Sequence, residues 1–244
     1  MLFKFYEVGG KVRDEILGLK SKDVDYVAVP HDKLLEQYTE ATDMFKVLCD
    51  FLKEEKFEIF LITHDCYTIR AKFPKDHKYQ GIADFVMARK EIGYLPNTRT
   101  PIVKPGTLFD DLERRDFCAN SVAKDENDIY IDFFNGINDI KNRILRTPLD
   151  PIKSFDDDCL RIYRALRFTI TKDFTMSDDI INVVKEYDYD NKMKIISSER
   201  IREELYKCFK FNTLKTILLF NEFPKLRDYT FSIKDLWMKP TFEM

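Results

Sequence analysis

The periodicity of the chain changes once, near Pro151, and that change limits the folds open to it. Before it, alternating β-branched runs are interspersed with helical ones. Residues 23–29 alternate and are predicted as a strand, with 58–62, 67–72, 82–87 and 129–133 as further strands. Leu34, Leu35, Tyr38, Ala41, Phe45, Leu48, Phe51 and Leu52 recur at helical spacing and predict one long amphipathic helix. Residues 89–106 hold Pro96, Pro101 and Pro105 with Gly93 and Gly106, which predicts a long loop of the functional or mobile kind. After Pro151 every periodic segment is helical, at 157–168, 178–189, 198–211 and 213–220. Strands and helices followed by helices alone predict an α+β protein. A mixed-sheet head is expected over residues 1–150 and an all-helical domain over 151–244.

Charge and cysteine usage exclude several function classes. No apolar run approaches the roughly 18 residues of a membrane span, so no membrane partner is expected. The opening Met1 to Glu7 is charged too early for a signal peptide, which makes the cytoplasm the expected location. Cys49, Cys66, Cys118, Cys159 and Cys208 are scattered and odd in number, predicting reduced thiols and no zinc site. A net charge of −3 excludes a uniformly basic nucleic-acid coat, so RNA would have to meet a local basic stripe.

Two segments near the start carry chemistry, each with two readings. Val8-Gly9-Gly10-Lys11-Val12-Arg13-Asp14 precedes a short helix. Its glycines are either an ordinary turn or a close approach of backbone to phosphate. Asp23 and Asp25 sit at i and i+2 of a strand and project to one face. They are either a solvated strand end or a pair that repels unless a divalent cation lies between them. The second reading suits two-metal chemistry, in which Mg²⁺ polarises the α-phosphate and activates the attacking hydroxyl.

Taken in order, five further segments follow this pair. They are Ala83 to Glu91, Pro105 to Asn120, Asp132 through Gly136 with Asp139 and Arg146, Phe155 to Phe168, and Ser198 to Leu205. Together with the opening pair they resemble the class II tRNA nucleotidyltransferases, the family of CCA-adding enzymes and bacterial poly(A) polymerases. The resemblance spans roughly residues 5–205.

It implies a role for each matched position. Asp23 and Asp25 would hold two Mg²⁺ ions, with Asp84 as a third carboxylate on the neighbouring strand. Gly9, Gly10 and Arg13 would bind the triphosphate, and Arg115, Asp116 and Asn120 the sugar and phosphates of the nucleotide. Asp158 and Arg161, at i and i+3 and so expected on one helix face, would read the incoming base. The residue-level alternative for that pair is an ordinary intrahelical ion pair. Arg164 and Arg167 would add to nucleotide binding, while Lys194, Arg200 and Arg202 would contact RNA. Interleaved acids leave a plain solvated face as the other reading of those basic residues.

The implied activity is addition of CMP and AMP, from CTP and ATP, to the tRNA 3′ end. Addition of adenylate or a single nucleotide to another RNA, and an inactive nucleotide- or RNA-binding protein, are the alternatives. Three departures from the family pattern stand out. Asp157 replaces the usual glutamate. Cys118, Ala119 and Ser121 replace the residues usual around the RRDF segment. The chain also reads as a short form lacking most of the body and tail. An apolar closing segment with Phe231, Leu236, Trp237 and Phe242 offers either a contact patch for a second copy or the closure of a small monomer, and a monomer is the expectation.

Overall fold

The computed structural model describes residues 2–20, 24–96, 98 and 100–233. Asp23, Leu236, Trp237 and Phe242 lie outside the described residues. Two compact units are present: Met1–Pro96 with Thr100–Asn142, and Asn97–Arg99 with Arg143–Met244.

The first unit is built on a seven-stranded sheet. Its strands are β1 (Phe3–Val8), β2 (Asp25–Pro30), β3 (Glu58–Thr63), β4 (Thr68–Lys72), β5 (Ile82–Met87), β8 (Val122–Lys124) and β9 (Tyr130–Asp132). Their order is β3-β4-β5-β2-β1-β8-β9. Only β2 and β5 run parallel, so the sheet is mixed. Alternation along the strands sends Phe3, Tyr26, Ala28, Ile69, Ala71, Phe85 and Met87 to one face, where they pack on Met44, Phe45, Leu48 and Leu52 of α3 (Ala41–Glu54). The other face holds Tyr6, Val8, Val27 and Ala88 against Leu108 and Leu112 of α4 (Leu108–Glu113). Helix α1 (Gly10–Ile16) follows β1 directly.

Several expectations are corrected. Residues 89–106 are not a loop: β6 (Arg89–Tyr94) and β7 (Pro101–Pro105) pair as an antiparallel hairpin. Pro101 and Pro105 occupy the two ends of β7 in a two-stranded sheet, where a missing N–H breaks no inner ladder. The single helix expected from Leu34 to Leu52 is two, α2 (Asp32–Gln37) and α3, because Tyr38 (φ −119°, ψ 103°) and Glu40 (φ −94°, ψ 132°) are extended. Strand β1 carries little alternation because both faces of this central strand are covered, and it escaped the periodicity reading.

The second unit is helical apart from a short parallel pair, β10 (Ile144–Leu145) with β11 (Thr175–Met176). Its helices are α6 (Pro151–Asp157), α7 (Leu160–Thr171), α8 (Asp178–Glu186), α9 (Tyr189–Lys192), α10 (Ser198–Phe211), α11 (Thr213–Glu222) and α12 (Pro224–Asp228). Phe231 packs on Phe220 with ring centroids 5.2 Å apart and stays 37% exposed. Among the described residues no helix is long and apolar enough to cross a membrane.

Helix α5 (Gly136–Asn142) shows how tightly the first unit is tied. Asp132 accepts from the amides of Phe134 (3.2 Å), Gly136 (2.8 Å) and Ile137 (2.9 Å), capping the helix. A Cβ on Gly136 would lie 2.1 Å from the Cys118 carbonyl oxygen and 2.8 Å from Val122 Cγ2. Backbone cannot retreat as a flexible side chain can. Gly136→Ala should therefore destabilise the protein by about 3 kcal/mol, read from the urea midpoint at unchanged slope. A midpoint equal to that of the parent protein would contradict this packing.

Candidate active site

Strand register builds the site. Arg70 faces Asp84 across β4–β5, Asp84 shares its level with Asp25 across β5–β2, and Asp25 lies opposite Val8 across β2–β1. Registered partners point to the same face, so one row carries an arginine and two carboxylates beside the end of β1. Val8 leads into Gly9, whose φ of 74° and ψ of −137° strain any side-chain-bearing residue. A Cβ there would sit 3.4 Å from Arg115 Nη1 and 3.6 Å from Asp25 Oδ2. Gly9, Asp25 and Arg115 thus converge on one spot, from three distant parts of the sequence.

Arg115 is held there by an acid that the sequence reading missed. Asp111 is fully buried and accepts from Arg114 Nε (3.0 Å), Arg115 Nε (3.3 Å) and Arg115 Nη2 (2.9 Å). Helix α4 presents Asp111 because its start is pinned by a capping box, in which the Thr107 hydroxyl accepts from the Asp110 amide and Asp110 accepts from the Thr107 amide. Burial alone would raise the Asp111 pKa, but the guanidinium groups of Arg114 and Arg115 outweigh it and hold the carboxyl below its ordinary value. Its i, i+3 and i, i+4 spacing to two arginines was the signal available in the sequence.

Behind the glycine turn lies a second polar chain. Arg13 donates to Asp14 Oδ1 through Nε (2.9 Å) and to Asn120 Oδ1 through Nη1 (2.6 Å). Asn120 in turn donates to Asp116 Oδ1 at 2.8 Å, which also accepts from the Phe117 amide at 2.9 Å. Arg13, Asp116 and Asn120 are all buried. The structure thus brings these three expected nucleotide ligands together, as a scaffold under Gly9 and Gly10. Helix α1 is fixed from its other side by Glu7, which accepts from Lys11 (3.0 Å) and the Tyr26 hydroxyl (3.0 Å), and by Lys124, which bridges Glu7 (3.2 Å) and Glu15 (2.9 Å). Burial would lower the Lys124 pKa, but Glu15 and Glu7 outweigh it and raise it above the usual lysine range.

Among the described residues no three histidine, cysteine or acidic groups gather as a metal site, and Asp23 is outside that set. Asp25 and Asp84, at one level of adjacent strands and beside the cradle a Gly9 Cβ would fill, still fit a hard divalent cation that prefers oxygen donors.

In the helical unit, Asp158 is not in a helix with Arg161, which corrects the one-face expectation. It ends α6 in extended conformation (φ −150°, ψ 95°), and its Oδ1 accepts from the Leu160 amide at 3.0 Å. A short acidic side chain that bonds its own downstream amide competes with helix continuation. Arg161 is buried and donates to Ser154 Oγ at 2.8 Å. Arg167 is paired with Glu204 of α10 and lies 5.0 Å over the Phe168 ring. Arg164 is half-buried on α7, and Lys194, Arg200 and Arg202 are exposed. Arg200 and Arg202 are two residues apart on α10 and so face different ways.

The fold is that of a nucleotidyltransferase head followed by a helical neck. A family model described as the poly(A) polymerase head domain matches residues 5–146. The CCA-adding enzyme of Lactobacillus helveticus is 33% identical over 208 residues, 84% of this chain and 46% of that protein. The multifunctional CCA protein of Nitrosomonas eutropha is 34% identical over 206 residues, 83% of this chain and 43% of that one. The solved Thermotoga maritima CCA-adding enzyme, complexed with tRNA, matches at a TM-score of 0.69 and 26% identity, covering 98% of this chain and 50% of that chain. The chain belongs to the family of CCA-adding enzymes and poly(A) polymerases. It spans about half the length of the relatives it matches.

The buried Asp111 makes a pH-dependent contribution. Its folded pKa lies below the ordinary 3.8, so the stability it confers is present above that value and lost as pH falls through the lower folded one. Asp111→Asn should cost about 3–5 kcal/mol at pH 7, because two guanidiniums lose their buried partner. It should also flatten the loss of stability below about pH 4. Urea unfolding across pH checks both, and a variant with the parent's acid profile would refute the role given to Asp111.

Proposed function

We propose that this chain transfers CMP and AMP from CTP and ATP to the 3′ end of tRNA, completing or repairing its CCA terminus. The convergence of Gly9, Asp25 and Arg115 is the observation that carries this reading. It sets a side-chain-free backbone turn next to a carboxylate and a guanidinium. Membership of the family and its likeness to CCA-adding relatives support it further.

In this reading Asp23 and Asp25 hold two Mg²⁺ ions and Asp84 supplies the third carboxylate. Bound there, the ions would polarise the α-phosphate and lower the pKa of the attacking hydroxyl. The residues of the chain do the rest. Gly9 and Gly10 let the backbone approach the triphosphate, with Arg13 holding the turn from below. Arg115, aimed by Asp111, offsets charge on the phosphates, while Asp116 and Asn120 fix the segment that meets the sugar. The tRNA 3′ hydroxyl then displaces pyrophosphate from the α-phosphorus. Asp158 and Arg161 read the edge of the incoming base through fixed donors and acceptors. Arg164 and Arg167 add to nucleotide binding, and Lys194, Arg200 and Arg202 contact RNA backbone. The division of labour is a head over residues 1–150 and a neck over 151–244. The chain is proposed to act as a monomer in the cytoplasm.

Incubation with tRNA lacking CCA and each labelled nucleotide tests the reading, with incorporation of C and A expected and of G and U not. No metal-dependent incorporation into any RNA would overturn it. Asp25→Ala should lower incorporation by roughly a thousandfold or more with the fold retained by circular dichroism. Near-parental turnover of that variant would remove the carboxylate mechanism. Arg161→Ala should narrow the preference for C and A over G and U more than it weakens triphosphate binding, since an unpaired polar reader is what makes discrimination steep. A uniform fall in all four incorporations would mean that Arg161 is structural, its bonds to Ser154 included.

A further inference from the structure

The catalytic face of the sheet carries a cation of its own. Arg70 lies directly opposite Asp84 in the β4–β5 register. Its Nε donates to Asp84 Oδ1 at 2.8 Å and its Nη2 to Oδ2 at 2.7 Å. Both carboxylate oxygens are therefore engaged by one planar fork, the geometry that lysine cannot supply. The Arg70 side chain is 53% exposed and that of Asp84 is 25% exposed, so this is not a buried pair sealed by packing. We propose that Arg70 is a positioning residue that occupies the Asp84 carboxylate in place of a divalent cation, so that guanidinium pairing and cation binding at Asp84 oppose each other. The proposal rests on the reading of Asp84 as the third carboxylate of the site.

Asp25 and Asp84 share a level on adjacent parallel strands, whose backbones lie about 4.8 Å apart. Carboxylates at one level of adjacent strands repel unless a cation sits with them. A guanidinium delivered from the next strand supplies part of that charge in the protein itself before any ion arrives. An incoming divalent cation then meets a carboxylate whose two oxygens already accept from a cation, and it is repelled by the guanidinium besides. Arg70 thereby sets the affinity of the site for free cation below what the acids alone would give. An ordinary cross-strand ion pair on this exposed strand would instead have no effect on cation binding.

Mn²⁺ titration followed by electron paramagnetic resonance, with no nucleotide present, separates the two. Arg70→Gln is expected to bind Mn²⁺ on the order of tenfold more tightly than the parent, with Arg70→Lys in between because it keeps the charge but loses the fork. In chelator Arg70→Gln should melt lower than the parent, and Mn²⁺ should raise its melting temperature by more. Unchanged or weakened Mn²⁺ affinity in Arg70→Gln, with Asp84→Asn weakening it, would overturn the opposition while leaving Asp84 as a ligand. Mn²⁺ binding indifferent to Asp84→Asn would remove Asp84 from the site, and this proposal with it.

Discussion

The carboxylate of Asp111, buried completely between Arg114 and Arg115, is the interaction on which the head depends. A buried charge is tolerated only when it is paired and hydrogen-bonded, and here two guanidiniums satisfy one acid. The same contacts that make the charge tolerable leave Arg115 one orientation, beside Gly9 and Asp25. Stability and site geometry are thus one interaction. The capping box at Thr107 and Asp110 fixes the start of α4, and with it the height at which Asp111 enters the core.

A second set of charges, with Glu7, Lys124 and Arg13 buried, does for α1 what Asp111 does for Arg115. Glu7, Lys11, Lys124 and Glu15 link β1, α1 and β8, while Arg13, Asn120 and Asp116 link α1 to the segment after α4. Arg13 and Asn120 carry these links inside the fold, under the glycine turn. A rigid cradle needs such support, because glycines place no side chain of their own against the core.

The helical unit shows the same economy. Arg161 is anchored on Ser154 and Arg167 on Glu204, so two of its basic residues tie α7 to α6 and α10. Burial raises the pKa of the nearby Cys208 thiol to about 12, so that face of α10 is dry packing and not reactive surface. The exposed cations Arg200 and Arg202 diverge, because residues two apart on a helix lie about 200° apart around its axis.

Fold class, the switch to helices after Pro151 and the family were legible in the order of residues, because periodicity and local motifs are properties of neighbours along the chain. The capping box at Thr107, the loop-and-cap run from Asp132 to Gly136 and the helix over residues 198–211 are of this kind. Where local signals conflicted with packing, the reading failed. Prolines at 101 and 105 suggested a loop, yet a two-stranded hairpin accommodates them at its ends. Asp158 fitted a helical period, yet it ends α6 in extended conformation and its side chain accepts from the Leu160 amide. The approach of Arg70 to Asp84 had no trace in the sequence, and those of Asp84 to Asp25 and of Arg115 to Gly9 were implied by the family resemblance alone. Strand register and helix docking set those distances, and both depend on residues far apart along the chain meeting through a shared core.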